Sequence, residues 1–228
     1  MQKGHFYSRK RYIWDVSSGE GGRSLNLRER NKARARMEIA SAALALFAER
    51  GFQHVTVDDI VAAAGVSRRT FFRYFDTKED ALLADYPQVR DRLRAAFEAH
   101  PDDVPVLDAI RQSLHEVADW YLERRDAVLA RSDVIRGSST PAARNLELLA
   151  QWEAVVAQVV AAKLGEDAAG LVARTVSATA IAAFRAALAQ WVRTGGGDDL
   201  HRLIDDALDI VEHGISQTVV GIRTRGAG

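Results

Sequence analysis

Residues 56–78 read TVDDIVAAAGVSRRTFFRYFDTK and contain two short helical patterns separated by a glycine. Thr56 is a predicted N-cap, and Asp59 stands three residues later, where a capping box requires a polar partner. The apolar residues that follow recur at the spacing of one helical face: Val57, Ile60, Val61 and Ala64. Gly65 supplies the left-handed turn, and Ser67 caps the next helix. The segment is therefore predicted to be a helix-turn-helix.

The second helix of this segment is predicted to present a basic surface. Phe71, Tyr74 and Phe75 are expected to turn inward. Five residues are left to project outward, and three of them are cations: Arg68, Arg69, Thr70, Phe72 and Arg73. Arginine binds guanine O6 and N7 in the DNA major groove, and a threonine methyl contacts the thymine methyl. The alternative is a solvated arginine face on a helical hairpin, which explains the charge but not the whole pattern.

Composition favours an all-helical protein. The 228 residues are 47% hydrophobic, with only 4 prolines, so a substantial core and long helices are expected. The absence of cysteine excludes disulfides, iron–sulfur clusters and thiolate zinc sites, and fits a cytoplasmic protein.

Charge is divided unequally along the chain, although the formal net charge is zero. Residues 1–80 carry a net charge of +5 and residues 81–228 a net charge of −5. The positive part contains the predicted helix-turn-helix, as expected for binding to DNA phosphates. No stretch was expected to supply the roughly 18–20 apolar residues of a membrane span, nor the N-terminus a secretory signal.

The pattern divides the chain into three parts. Residues 1–28 are predicted to be a flexible basic arm, residues 29–82 a DNA-binding domain, and residues 83–228 a helical domain. The arm is either a tail without a role, in part a product of start-site choice or cloning, or a segment that lies in a minor groove or along phosphates. Its Phe6, Tyr7, Tyr12, Ile13 and Trp14 favour docking of part of it.

Helices are predicted throughout the two domains. One runs from about Glu29 to Arg50, and a connector helix from about Lys78 to His100. Further helices are predicted over about 105–125, 126–136, 141–164, 167–194 and 198–219.

The N-terminal pattern resembles the TetR family of bacterial transcriptional regulators. The resemblance covers about 50 residues and rests on apolar, glycine, capping and lysine positions together. They are Ile39, Ala43, Leu46, Phe47, Gly51, Phe52, Thr56, Ile60, Ala63, Ala64, Gly65, Val66, Ser67, Thr70, Phe72, Tyr74, Phe75, Lys78, Glu79 and Leu82. The resemblance implies an all-α protein: an N-terminal three-helix DNA-binding domain followed by a C-terminal helical domain for ligand binding and dimerisation.

The resemblance also implies roles for individual residues. Base contacts are expected from Arg68, Arg69, Thr70 and Arg73, and phosphate contacts from Thr56, Ser67, Tyr74 and Lys78. Two positions depart from the family pattern. Many members have glycine where Arg69 stands, so an additional base pair or phosphate contact is expected. Phe72 stands where tyrosine is common, and it replaces a phosphate hydrogen bond with an apolar contact.

The C-terminal domain is expected to dimerise and to bind an effector. The last two helices carry long apolar faces, which predict either a homodimer interface or an intramolecular core. Five polar or aromatic residues in apolar surroundings are candidates either to line an effector pocket or to hold a core together: His115, Trp120, Tyr121, Trp152 and Arg185. The expected effector is small and largely apolar. The TFFRYF…KED sequence resembles an actinobacterial subgroup associated with acyl-CoA-like ligands.

Catalytic and metal sites are not expected. The last helix has an acid or a histidine at every fourth position, a spacing that can bind a metal: His201, Asp205, Asp209 and His213. They are interpreted as the solvent-exposed edge of that helix. No phosphate loop, nucleophile elbow or paired acid appears. The sequence therefore predicts a non-enzymatic, homodimeric repressor of a palindromic DNA operator, without a cofactor. The alternatives are a helical carrier or scaffold that does not bind specific DNA, and a helical hydrolase or metal enzyme.

Overall fold

The computed structural model describes residues 27–214, with side chains from residue 31 onward. Within this range the chain forms ten α-helices and no strand, as the sequence predicts. The helices are α1 (Leu27–Arg50), α2 (Val57–Ala64), α3 (Arg68–Phe72), α4 (Lys78–Leu82), α5 (Tyr86–Glu98), α6 (Val106–Glu123), α7 (Arg125–Arg136), α8 (Ser139–Leu164), α9 (Leu171–Arg193) and α10 (Leu200–His213). The arm predicted over residues 1–28 lies almost entirely outside the described residues.

The first compact unit contains the described residues up to Ala84 together with Asp126–Arg144. In it α1 packs against α2 and α4, and α2 packs against α3. The predicted α1 stripe is buried: Ile39, Ala43, Leu46 and Phe47 are all at most 8% exposed. Phe47 stacks on Phe52 with ring centroids 4.8 Å apart. This core holds the helix-turn-helix on α1.

The predicted connector helix is wrong as a single helix. It divides into α4 and α5, and Leu83 between them leaves helical geometry with φ −103° and ψ 26°. Pro87 explains the break, because a proline ring clashes with the carbonyl four residues earlier, here that of Leu83, in a continuous helix. The proline instead occupies the first turn of α5, where its missing N–H has no cost.

A later segment also belongs to the first unit. Gln53 donates a hydrogen bond to the Ser138 hydroxyl at 2.9 Å. Arg144 near the start of α8 pairs with Asp80 of α4 at 2.9 Å. The linear division predicted from sequence does not include this segment in the DNA-binding domain. Since the first unit extends to Arg144 and the second resumes at Asn145, α8 begins in one unit and ends in the other.

The second compact unit contains Asp85–Arg125 and the described residues from Asn145 onward. Helix α5 packs on α6, and α10 packs on both α6 and α9. Its core contains Leu93, Val117, Phe184, Trp191 and Ile204, each at most 1% exposed. The apolar face predicted for the last helix is buried in α10 at Leu200, Ile204 and Leu208, but Leu203 is half-buried and Val211 is exposed. The last two residues of that predicted face, Ile215 and Val219, lie outside the described residues.

Helix α9 departs from the prediction that no stretch is long and apolar enough to span a membrane. By length and composition it is the one helix among the described residues that could cross a membrane. The same composition is found in core helices of folded domains. Ala180, Ile181, Phe184 and Trp191 of α9 are buried inside the unit.

Candidate nucleic-acid interface and effector region

The first helix of the helix-turn-helix begins with a complete capping box. The Thr56 hydroxyl accepts a hydrogen bond from the Asp59 amide at 3.2 Å, and the Thr56 amide donates to the Asp59 carboxylate at 2.8 Å. The pKa of Asp59 lies below its usual value, first because the Thr56 hydroxyl donates to the carboxylate and then because the Thr56 amide does. Asp59 is therefore ionised at neutral pH, and its charge stabilises the N-terminus of α2.

The turn between the two helices has the predicted left-handed glycine. Gly65 has φ 67° and ψ 32°, a conformation that costs any residue with a Cβ. Its amide and that of Val66 both donate to the Val61 carbonyl, which closes the end of α2. Ser67 then caps α3 by accepting from the Thr70 amide at 3.1 Å, as predicted. These local bonds fix the angle at which α3 leaves α2.

The predicted recognition surface lies on the exposed side of α3. Phe71 and Phe75 are buried as expected, while Tyr74 is half-buried. Arg68, Arg69, Phe72 and Arg73 are exposed, and Thr70 is half-buried. Phe72 is unusual because 46% of this large aromatic side chain is in contact with solvent. An exposed ring beside three cations suits contact with DNA sugars and thymine methyl groups.

Two arginines of this surface are held by neighbours. The Arg68 Nη1 lies 2.8 Å from both carboxylate oxygens of Asp58 on α2. The Arg73 guanidinium lies over the Tyr74 ring, 4.8 Å from its centroid, and donates to its hydroxyl at 3.2 Å. The Arg69 side chain has neither a hydrogen bond nor an ion pair to any residue within the described range, although its carbonyl accepts a hydrogen bond from the Arg73 amide. The sequence did not predict a role for Asp58, because its distance from Arg68 depends on the angle between α2 and α3.

Lys78 has a structural role, because it joins α4 to the backbone that follows α1. Its ammonium donates to the Phe52 and Val55 carbonyls, both at 2.9 Å, and lies 4.4 Å from the centroid of the Phe52 ring. An ammonium has three donors, so one N–H is left for a phosphate. The phosphate contact predicted for Lys78 stays a prediction, whereas its role in joining α4 to the turn after α1 is visible.

Three of the residues predicted to line an effector pocket are core residues of the second unit in this structure. Trp120, Tyr121 and Trp152 are at most 4% exposed and lie within the core of the second unit. The Trp152 ring lies 5.2 Å from Tyr86 and 6.3 Å from Phe184, and Tyr121 lies 6.0 Å from Phe184. This packing favours the core alternative for the three aromatic residues.

Arg185 does not have the apolar surroundings expected for it, and its contact with an effector stays a prediction. Arg185 is exposed on the outer side of α9, because the buried face of that helix passes through Ile181 and Phe184 instead. Phe184 and Ala187, close to it in the sequence, are buried, which is why the sequence alone suggests apolar surroundings for Arg185.

A groove between α5 and α6 contains one of the residues predicted to line an effector pocket. It has a volume of about 520 Å³ and is lined by Arg92, Ala95, Ala96, Ala99, His100, Gln112, His115 and Glu116. Three alanines provide an apolar floor, and polar groups stand around it. Of the five predicted residues, only His115 contributes to this groove.

The metal pattern on the last helix does not form a single site. His201 pairs with Asp119 of α6 at 2.9 Å, whereas Asp205 pairs with His115 and Arg111 at 2.9 and 3.0 Å. Burial alone would lower the pKa of Arg111, but hydrogen bonds to Asp205 and Asp209 outweigh it and raise that pKa. These side chains join α6 to α10 as ion pairs. Asp209, Glu212 and His213 lie close enough to one another to share an ion, but they are exposed, and Arg111 already pairs with both acids.

The helix α9 leaves a stripe of small residues uncovered. Thr175, Ala178, Ala182, Ala186 and Ala189 recur every three or four residues on its exposed side. At the start of the helix Leu171 is 83% exposed and Val172 45% exposed, and on α10 Ile210 and Val211 are 41% and 42% exposed. Small side chains allow another helix to approach closely, so this face has the composition of an interface.

The geometry defines a class of protein. A capped helix-turn-helix with an exposed basic second helix is carried on a small helical unit, and a larger helical unit with an uncovered apolar face follows. This is the architecture of a DNA-binding regulator.

Comparison with known proteins identifies the family. Residues 39–84 match the family model described as bacterial regulatory proteins, tetR family, and residues 104–216 match the model described as the MftR C-terminal domain. The chain belongs to the TetR family of transcriptional regulators, and it is a transcriptional regulator with an N-terminal helix-turn-helix.

Individual relatives agree with this assignment. The chain is 28% identical over 179 residues to MftR of Mycobacterium tuberculosis, a regulator named for mycofactocin biosynthesis, covering 78% of this chain and 90% of that protein. It is 33% identical to the HTH-type regulator TcmR of Streptomyces glaucescens, covering 62% and 65% of the two chains. The fold is similar to that of Thermus thermophilus FadR in complex with lauroyl-CoA, with a TM-score of 0.53, 23% identity and coverage of 77% and 93%.

Proposed function

We propose that two copies of this chain bind a palindromic operator through α3 and repress transcription until an effector binds the second unit. The observation that carries this proposal is the exposed face of α3, where Arg68, Arg69 and Arg73 stand beside Thr70 on a helix whose start is fixed by Ser67. One helix-turn-helix supplies few base contacts, so a two-fold pair that reads two half-sites is the expected arrangement. Thr56, Ser67, Tyr74 and the remaining N–H of Lys78 would contact phosphates.

Substitution of the two arginines at the start of α3 tests whether this helix contacts bases. The operator is first obtained by selection from random duplex DNA with the wild-type protein. We expect Arg68→Ala and Arg69→Ala each to weaken operator binding about tenfold, since a bidentate arginine–guanine pair contributes about 1–3 kcal/mol. Affinity is measured by fluorescence anisotropy at several salt concentrations.

Arg94 provides the matched control, because it is an exposed arginine on α5, far along the chain from the helix-turn-helix. Arg94→Ala should leave operator affinity within about twofold of the wild-type value. If Arg68→Ala and Arg69→Ala discriminate between the operator and its base-pair variants as strongly as the wild type does, these residues do not contact bases.

The uncovered face of α9 and α10 is the proposed dimer interface. The small-residue stripe of α9 allows close packing, and the exposed Ile210 and Val211 extend the apolar surface. Arg174 and Arg185 run along one edge of the α9 stripe, while α10 exposes Asp206 and Glu212. A second copy therefore offers both an apolar surface and charges of opposite sign.

The groove between α5 and α6 is the proposed entry for an effector. Its volume of about 520 Å³ lies within the ~300–1,000 Å³ of small-molecule sites. The alanine floor suits an apolar body, and Arg92 suits an anionic end. An acyl-CoA combines these features, and lauroyl-CoA is therefore the probe. An effector releases DNA only if it binds the non-binding conformer more tightly than the DNA-binding one.

A bulky side chain placed in the groove tests whether the effector binds there. We expect lauroyl-CoA to weaken operator binding by the wild-type protein at least tenfold, and Ala96→Trp to reduce that response to less than twofold, since the indole occupies the groove. The readout is operator affinity with and without lauroyl-CoA. Ala154→Trp is the control, because Ala154 is an exposed alanine of α8 in the same unit. An unchanged response in Ala96→Trp would place the effector elsewhere, and no response in the wild type would exclude lauroyl-CoA as the effector.

A further inference from the structure

Asp58 occupies a position from which it controls the side chain at the start of α3. It lies in the first turn of α2, and both of its carboxylate oxygens are 2.8 Å from the Arg68 Nη1. The pair joins the first turn of one helix of the motif to the first turn of the other. No other residue in the described range forms an ion pair with Arg68.

Stability does not explain this pair. The two side chains are 59% and 66% exposed, and ion pairs with this exposure contribute about 0–1 kcal/mol. Asp58 would stabilise the N-terminus of α2 equally well without a partner, because the helix dipole favours any acid there. The contact with Arg68 therefore has its consequence at the surface of α3.

The geometry leaves one edge of the guanidinium available. Asp58 engages Nη1, so Nη2 and Nε remain as two parallel donors, the arrangement that grips guanine O6 and N7. The Phe72 ring lies 5.8 Å from the Arg68 guanidinium carbon and restricts the plane of the group from another side. An arginine held in this way loses less conformational entropy when it binds a base.

We propose that Asp58 is a specificity-determining positioning residue, which holds Arg68 in the orientation that reads one guanine of each half-site. This inference rests on the proposed function, namely that α3 binds in the major groove. Asp58 itself touches no base. The negative charge of Asp58 lies near DNA phosphates and lowers the affinity for every sequence. We therefore expect Asp58 to weaken binding to all DNA while increasing the difference in affinity between the operator and its base-pair variants.

The test compares Asp58→Ala and Asp58→Asn with the wild type on the selected operator and on every single base-pair variant of one half-site. We expect both variants to lose about tenfold discrimination at one base pair, the same base pair at which Arg68→Ala loses its preference. In the Arg68→Ala background, Asp58→Ala should cause no further loss at that base pair, because the two residues act as a unit. Preference at the other positions should stay unchanged.

Asp76→Ala is the matched control. Asp76 is an exposed acid of the same unit that follows the motif, so its removal changes the net charge equally. This variant should bind all sequences more tightly with discrimination unchanged. If Asp58→Ala behaves in the same way as Asp76→Ala, Asp58 only repels phosphates and the inference is overturned. If the wild-type protein selects no sequence at all, the proposed function fails, whatever Asp58 does.

Discussion

Replacing Ala182 and Ala186 of α9 by glutamate is expected to convert the protein into a monomer. The chain has a mass of 25.1 kDa, so light scattering after size exclusion should give one chain mass for the variant and twice that mass for the wild type. Four carboxylates would meet in a symmetric interface, where unpaired charges are costly. Operator affinity should fall about a thousandfold, toward the level of non-specific binding, because the two half-sites are no longer read together.

Ala154→Glu provides the control for this experiment. Ala154 is an exposed alanine in the middle of α8, so the substitution adds charge to a helix of the same unit. This variant should remain dimeric with wild-type operator affinity. A dimeric Ala182→Glu/Ala186→Glu protein, with helix content equal to that of the wild type, would place the interface on another surface.

Truncating Trp152 to alanine is expected to lower the free energy of unfolding by about 3–5 kcal/mol. The Trp152 side chain is 2% exposed and packs against Tyr86 and Phe184. Its removal would leave a large cavity in the core of the second unit. Urea unfolding followed by far-ultraviolet circular dichroism, at one fixed protein concentration, measures the change.

Leu146→Ala is the corresponding control, since Leu146 lies on the same helix with 52% of its side chain exposed. Its effect on the free energy of unfolding should not exceed about 0.5 kcal/mol. A stable Trp152→Ala protein that no longer responds to lauroyl-CoA would instead make Trp152 a pocket residue, the alternative that the sequence left open.

The helix-turn-helix was predictable because its signals are local. A cap, a glycine with positive φ and a second cap lie within about a dozen residues, and each acts through hydrogen bonds to its near neighbours. Thr56, Gly65 and Ser67 all have the predicted geometry. The apolar stripe of α1 was predictable for the same reason, because helical spacing alone identifies its buried face.

The break between α4 and α5 also has a signal in the sequence, but the strong helix propensity around that signal led to the prediction of one continuous helix. Residues 78–98 contain strong helix formers, and a single proline at residue 87 interrupts them. The clash of that proline with the Leu83 carbonyl ends the helix regardless of the propensity on either side. The boundary between the two compact units falls there, between Ala84 and Asp85.

The pocket prediction depended on tertiary packing that a sequence does not specify. A buried tryptophan in apolar surroundings is compatible with a core and with a ligand site, and only the positions of Tyr86 and Phe184 distinguish them for Trp152. The pairing of Asp58 with Arg68 could not be predicted from the sequence for a different reason. It depends on the angle between two helices, which the turn geometry sets.

The most direct test of the account is the selection of duplex DNA from a random pool by the full-length protein. Two copies of α3 that read base edges should enrich a sequence with two-fold symmetry, whose half-sites have centres about one helical turn, or a multiple of it, apart. Enrichment of a single asymmetric site, or of no sequence above the starting pool, would contradict the claim that a pair of these helices recognises an operator.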